Sequence, residues 1–64
     1  MRVNGEDIAI GSGCSLKDFL TNAGYPFERI AVELNGKVIP KTQYEVVILS
    51  ESDRLEIVSF VGGG

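Results

Sequence analysis

Residues 11–26 read GSGCSLKDFLTNAGYP, and the architecture of the chain follows from them. Ser15 is a good helix N-cap, and Asp18 three residues on makes a near capping box, with Asp in place of Glu. Leu16, Phe19, Leu20 and Ala23 recur at i, i+3, i+4 and i+7, so they line one helical face. Gly24 suits the left-handed position just past a helix end, and Pro26 prevents a restart. The spacing predicts a helix of two to three turns. A helix this short is marginal in water, so it has to pack on something.

The flanking sequence supplies a sheet. Upstream, RVNGEDIAI (residues 2–10) reads as a hairpin. Both central positions of its tightest turn need positive φ, which Asn4-Gly5 tolerates. Ile8 and Ile10 alternate with Asp7 and Ala9 at the strand period. Downstream, RIAVELNGKVIP (29–40) is a second hairpin turning at Asn35-Gly36. Ile30, Val32 and Leu34 alternate on one arm and Val38-Ile39 return on the other. Pro40 ends the return strand or puts it at an edge. KTQYE (41–45) is a polar connection with room for one tight helical turn, VVIL (46–49) a short apolar strand, SESD (50–53) a turn and RLEIVSFV (54–61) the last strand.

One helix cannot cover two sheet faces. The economical arrangement is a mixed sheet wrapped around one helix, an α+β layer pair of the β-grasp or ubiquitin-like kind. The first and last strands are expected to lie side by side at its centre. One β-grasp domain over residues 1–61 is expected, followed by a flexible glycine tail, Gly62-Gly63-Gly64.

Composition narrows the function. The 64 residues bury only about 60% of the surface their unfolded chain exposes, so the core is thin. With one cysteine and no histidine, no internal disulfide and no Cys/His zinc site is expected. The core rests on the aliphatics of a chain that is 44% hydrophobic. The net charge is −3, and the six basic residues form no run, so no nucleic-acid partner is expected. No apolar run approaches a membrane span, and no apolar stretch of the signal-peptide kind follows Arg2. The cytoplasm is the expected location, in keeping with a lone unpaired cysteine.

Catalytic machinery is missing. There is no histidine base, no phosphate-binding glycine-lysine motif and no Asp-Ser-Leu of the acyl-carrier type. Gly11-Ser12-Gly13 precedes a helix start and could hold an anion, but glycines that simply make the turn are the plainer reading. Cys14 reads as a small, partly buried apolar residue rather than a reactive thiol. No bound cofactor is expected, and the protein is expected not to be an enzyme.

In the last strand, Leu55, Ile57 and Ser59 share one face, and Arg54, Glu56, Val58 and Phe60 the other. Arg and Glu do not belong in a thin core, so the second face is the wet one. Val58 and Phe60 then make an exposed apolar spot suited to a partner. A bulge that tucks Phe60 inside is the alternative. Beyond them the only chemical group of Gly62-Gly63-Gly64 is the carboxylate of Gly64. Glycines thread a narrow channel and leave a carbonyl carbon unhindered. Activation of that carboxylate by adenylation would let a sulfur or nitrogen nucleophile displace AMP.

These residues resemble the ThiS family, the small sulfur carriers of thiamin biosynthesis, over essentially the whole chain. The matching pieces are VNGE (3–6), SLKDFL (15–20), IAVELNGKVIPKTQYE (30–45) and DRLEIVSFVGG (53–63). Glu51-Ser52 stand where an Asp-Gly turn is usual, and Gly62 makes the glycine run a triple. The resemblance implies a β-grasp fold. It implies an E1-like adenylyltransferase, ThiF, that uses ATP and Mg²⁺ to adenylate the C-terminal glycine. A sulfur donor such as a cysteine desulfurase then makes a thiocarboxylate, which gives its sulfur to thiazole synthase, ThiG. By position, Gly64 carries the sulfur, Gly62 and Gly63 form the thread, and Val58 and Phe60 lie on the docking surface. A sulfur carrier for molybdopterin synthesis and a ubiquitin-like protein modifier are the alternatives.

Overall fold

In the computed structural model, which describes residues 1–60, both Asn-Gly pairs make tight turns. Asn4 and Gly5 have φ of 51° and 85°, and Asn35 and Gly36 have 52° and 85°. Positive φ at both central positions matches the turn to the twist of the strands it joins. The first turn joins β1 (Arg2–Val3) to β2 (Glu6–Asp7), and the second joins β3 (Ile30–Leu34) to β4 (Lys37–Ile39). Between the hairpins lies α1 (Leu16–Ala23), and β5 (Arg54–Ser59) follows last. Single 3-10 turns occupy Phe27–Arg29 and Lys41–Gln43. The second of these is the tight turn expected within KTQYE.

The sheet order is β2-β1-β5-β3-β4. β1 and β5 are parallel neighbours, with Arg2 beside Arg54 and Val3 beside Leu55. The other pairs are antiparallel. The earliest strand therefore lies beside the latest at the centre, as expected, and the fold is a β-grasp. Pro40 directly follows β4 at the sheet edge, where its missing N–H breaks no ladder.

α1 begins and ends as its sequence dictates. Ser15 Oγ accepts from the Asp18 N–H at 3.0 Å. At the other end Gly24 takes φ 83°. There the N–H of Gly24 donates to Thr21 O at 3.1 Å and that of Tyr25 to Leu20 O at 2.9 Å, which satisfies carbonyls a helix end leaves open. Leu16 and Leu20 are fully buried and Phe19 is half-buried, but Ala23 is exposed at the last turn. The buried apolar set is completed by Met1, Val3, Ile30, Val32, Tyr44, Leu49, Leu55 and Ile57. Helix and sheet thus meet across aliphatic side chains, with Tyr44 edge-on to Phe27 at 5.7 Å between ring centres.

Two expected strands come out differently. Residues 46–49 make no strand of the sheet; one isolated bridge joins Ile48 to Ser15. The N–H groups of Val46 and Val47 both donate to Gln43 O at 3.1 Å, and the segment's other bonds go to the entrance of α1: Leu16 N–H donates to Val47 O at 2.8 Å and Leu49 N–H to Cys14 O at 2.9 Å. A helix start leaves N–H groups without partners, and this segment supplies acceptors that a sixth strand would have spent on a ladder. β2 is also shorter than RVNGEDIAI suggests. Ile8 and Ile10 lie past its end, half-buried against the core, with Ile8 N–H donating to Met1 O at 2.8 Å.

Asp53 holds the turn into β5. Its carboxylate accepts from Asn35 Nδ2 at 3.0 Å and from the Ser50 N–H at 2.8 Å. These bonds, the Asn35 amide above all, hold the Asp53 carboxyl below its ordinary value despite partial burial. A lowered folded-state pKa means that folding favours the ionised form. Its contribution to stability is therefore complete above the unfolded-state pKa and is lost as pH falls through the folded one. Urea midpoints taken downward from neutral pH should fall from about pH 4, and Asp53→Ala should make that fall shallower. An unchanged acid limb in the variant would remove Asp53 from the account.

Candidate functional site

The site grows from β5, the strand that leads to the glycine tail. Its neighbours hold it over nearly its whole length. On one side it stays in register with β3 for five pairs, from Ile30–Ser59 to Leu34–Leu55. On the other, β1 is only two residues long, and the side chain of Asn4 continues its work. Ile57 N–H donates to Asn4 Oδ1 at 2.8 Å, and Asn4 Nδ2 donates to Ile57 O at 3.3 Å. Asn35 does the same near the strand's beginning, where its Oδ1 accepts from the Arg54 N–H at 2.9 Å. Each turn Asn thus serves twice, once by tolerating positive φ and once by bonding β5. The turn motif accounts for the first role; nothing local in the sequence signals the second.

Because the register runs without a slip, side chains of β5 alternate strictly. Leu55 and Ile57 enter the core. Arg54, Glu56 and Val58 stand on the outer face, and Val58 is 55% exposed. Phe60 follows at 54% exposed, with its N–H bonded to Arg29 O at 2.7 Å. The backbone is anchored there while the ring stays in solvent, so the alternative of a bulge that buries Phe60 is not what forms. Val58 and Phe60 make an apolar spot at the end of the described strand. Gly62, Gly63 and Gly64, and the expected boundary between residues 61 and 62, lie outside the described residues.

The other candidates carry less. At the start of α1 the N–H groups of Leu16, Lys17, Asp18 and Phe19 donate to Val47 O, Tyr44 O, Ser15 Oγ and Ser15 O. The Ile10 N–H beside the Gly11-Ser12-Gly13 loop is taken by the Glu51 carboxylate at 3.2 Å. An anion would find donors already engaged and a carboxylate in its path, so the loop is a connection. Cys14 is half-buried, with its thiol against Ser15 O at 3.4 Å. Among the described residues no three Asp, Glu or Cys side chains cluster as metal ligands, and no helix is long and apolar enough to cross a membrane.

The chain thus sets a single helix on a five-stranded mixed sheet whose last strand is central. The ThiS family model matches residues 1–64. The chain belongs to the ThiS family. It is 34% identical over 65 residues to the sulfur carrier protein ThiS of Bacillus subtilis, covering 100% of this chain and 98% of that protein. It is also 38% identical over 64 residues to a thiazole synthase of Magnetococcus marinus. The chain spans about a fifth of the length of that thiazole synthase and of a second one from Paramagnetospirillum magneticum (20% and 19%). Among solved structures, the crystal structure of the thiamine biosynthesis protein ThiS from Geobacter metallireducens superposes with a TM-score of 0.84 at 26% identity, covering 98% of this chain and 96% of that one.

Proposed function

We propose that this ThiS-family chain carries sulfur on the carboxylate of Gly64 for the synthesis of the thiamin thiazole. In this reading an E1-like adenylyltransferase joins the Gly64 carboxylate to AMP, with release of pyrophosphate from ATP. A persulfide-bearing donor, such as a cysteine desulfurase supplies, displaces the AMP, and cleavage of the sulfur–sulfur bond by a second thiol leaves a thiocarboxylate. That thiocarboxylate gives its sulfur to thiazole synthase. The carrier is a co-substrate and performs no catalysis. ATP and Mg²⁺ belong to the adenylating partner.

The observation that carries the reading is the match to the ThiS family over every residue, 1–64. Two others support it. Thiazole synthases of two bacteria contain a stretch similar to this whole chain or nearly so, which favours thiazole synthase as the acceptor. The exposure of the apolar pair Val58 and Phe60, a few residues before the tail in sequence, supports a docking role for them.

Intact-mass measurement tests the chemistry. Incubation with the adenylyltransferase, ATP and a persulfide donor should raise the mass by one oxygen-to-sulfur replacement, confined to the C-terminal peptide. No gain beside an active adenylating enzyme rules the reading out. The docking role has its own test. Phe60→Ala should weaken binding to the adenylyltransferase about tenfold or more, because a large apolar anchor is lost. Its melting temperature should move little, because the ring is 54% exposed. An equal loss of stability would mean that Phe60 serves the fold.

A further inference from the structure

The two Asn-Gly turns share the same two residues and the same positive φ, yet β5 holds their Asn side chains differently. Asn4 is bonded to the middle of the strand. Its Oδ1 accepts from Ile57 N–H at 2.8 Å, its Nδ2 donates to Ile57 O at 3.3 Å, and Ile57 is 7% exposed. The N–H of Asn4 donates to Leu55 O at 2.9 Å. Asn35 is bonded to the strand's entrance. Its Oδ1 accepts from Arg54 N–H at 2.9 Å and its Nδ2 donates to Asp53 Oδ1 at 3.0 Å, both at the surface. Arg54 is exposed, and Asp53 stands in the turn before β5. Neither glycine is crowded, since a Cβ built on Gly5 or Gly36 would meet nothing within 4 Å. Solvent-exposed hydrogen bonds open in local fluctuations, whereas those of a core strand open only with the whole domain.

We propose that Asn35-Gly36 is a site of spontaneous deamidation in the folded chain, and that Asn4-Gly5 is kept inert by its hold on β5. In the reaction the peptide nitrogen of Gly36 attacks Asn35 Cγ. The N–Cγ bond forms, the Cγ–Nδ2 bond breaks, and ammonia leaves with the proton of the peptide N–H. Water then opens the cyclic imide at either carbonyl, giving aspartate or its β-linked isomer. Glycine favours the attack because no side chain shields its nitrogen. The Asn35 carboxamide must leave Asp53 and Arg54 before its Cγ meets that nitrogen, and both bonds it breaks are exposed. The product cannot return to the same place. A carboxylate there has no proton to donate to Asp53, so two like charges face each other where a hydrogen bond stood. The β-linked isomer also lengthens a turn fitted to two residues. Deamidation therefore loosens the entrance to β5, and nothing in this chemistry depends on the sulfur-carrying reading.

Site-resolved mass spectrometry of the whole chain, aged in mildly alkaline buffer, tests it. Trypsin leaves one Asn-Gly pair in each of two peptides, residues 3–17 and 30–37. The amide-to-acid mass change should accumulate at least about tenfold faster at Asn35 than at Asn4. In urea below the unfolding midpoint, Asn4 should speed up with the unfolded fraction while Asn35 holds its rate. Above the midpoint the two should react alike. Asn35→Asp should melt about 4–8 °C below the parent. Aspartate tolerates positive φ as asparagine does, so that shift reads the lost donor and the facing charges. Equal rates at the two sites in native buffer, or a rate at Asn35 that follows urea in step with Asn4, would overturn the inference. So would a native chain that keeps both amides while the urea-unfolded chain loses them, or an Asn35→Asp variant that melts with the parent.

Discussion

Deletion of Gly64 is expected to abolish the sulfur-dependent mass gain completely while the melting temperature stays unchanged. The chemistry needs an unhindered carboxylate at a fixed reach from the docked domain. Without Gly64 the terminal carboxylate moves back by one residue, up to about 3.3–3.6 Å of extended chain. Displacements of about 1 Å can already cost a hundredfold in a positioned reaction. Stability should not follow, because every buried apolar residue of the described chain lies between Met1 and Ile57. Paired measurements decide the matter: intact mass after incubation with the adenylating enzyme, ATP and sulfur donor, and a thermal melt of the same sample. A full mass gain in the shortened chain would show that Gly64 is not the sulfur-bearing residue. A lowered melting temperature would show that the tail packs on the domain.

The second large effect is on the fold. Leu55→Ala should cost about 2–5 kcal/mol, since the side chain is 0% exposed and lies on the central strand. A domain of this length has total stability of roughly 3–10 kcal/mol. The variant should therefore melt at least ~10 °C lower, and a large fraction of it should be unfolded if the parent lies at the weak end of that range. Denaturant titration reads this as a lower midpoint with little change in slope. Sulfur uptake by the fraction that remains folded should be unaffected, because Leu55 faces the core and the docking residues face away. A loss below ~1 kcal/mol would mean that the neighbouring aliphatics close the cavity, and that the thin core is more plastic than its packing suggests.

These predictions rest unequally on sequence and structure. Much of the fold was legible because it is local chemistry. Asn4-Gly5 and Asn35-Gly36 turn the chain because their backbones tolerate positive φ, and Ser15 and Gly24 bound α1 through bonds within a few residues. The alternation of β5 was legible too: it puts Val58 on the outer face and leaves Phe60 open between that face and a bulge, which the bond from its N–H to Arg29 O and its 54% exposure decide. Gly62, Gly63 and Gly64 are candidates through the glycine run taken together with the β-grasp pattern, and they lie outside the described residues.

Tertiary structure decided what depends on which distant segment supplies a partner. VVIL has the composition of a strand, yet its bonds go to the turn at Gln43 and to the start of α1, where a helix end needs acceptors. Tyr44 sits in a polar stretch, yet it is buried at 2% exposure against Phe27, and burial pushes its hydroxyl pKa up. Asn4 reaches Ile57 across 53 positions of sequence. Local pattern determines turns, caps and the two faces of a strand, because those energies act within a few residues. Register and burial are collective, settled by the single arrangement in which one helix covers one sheet.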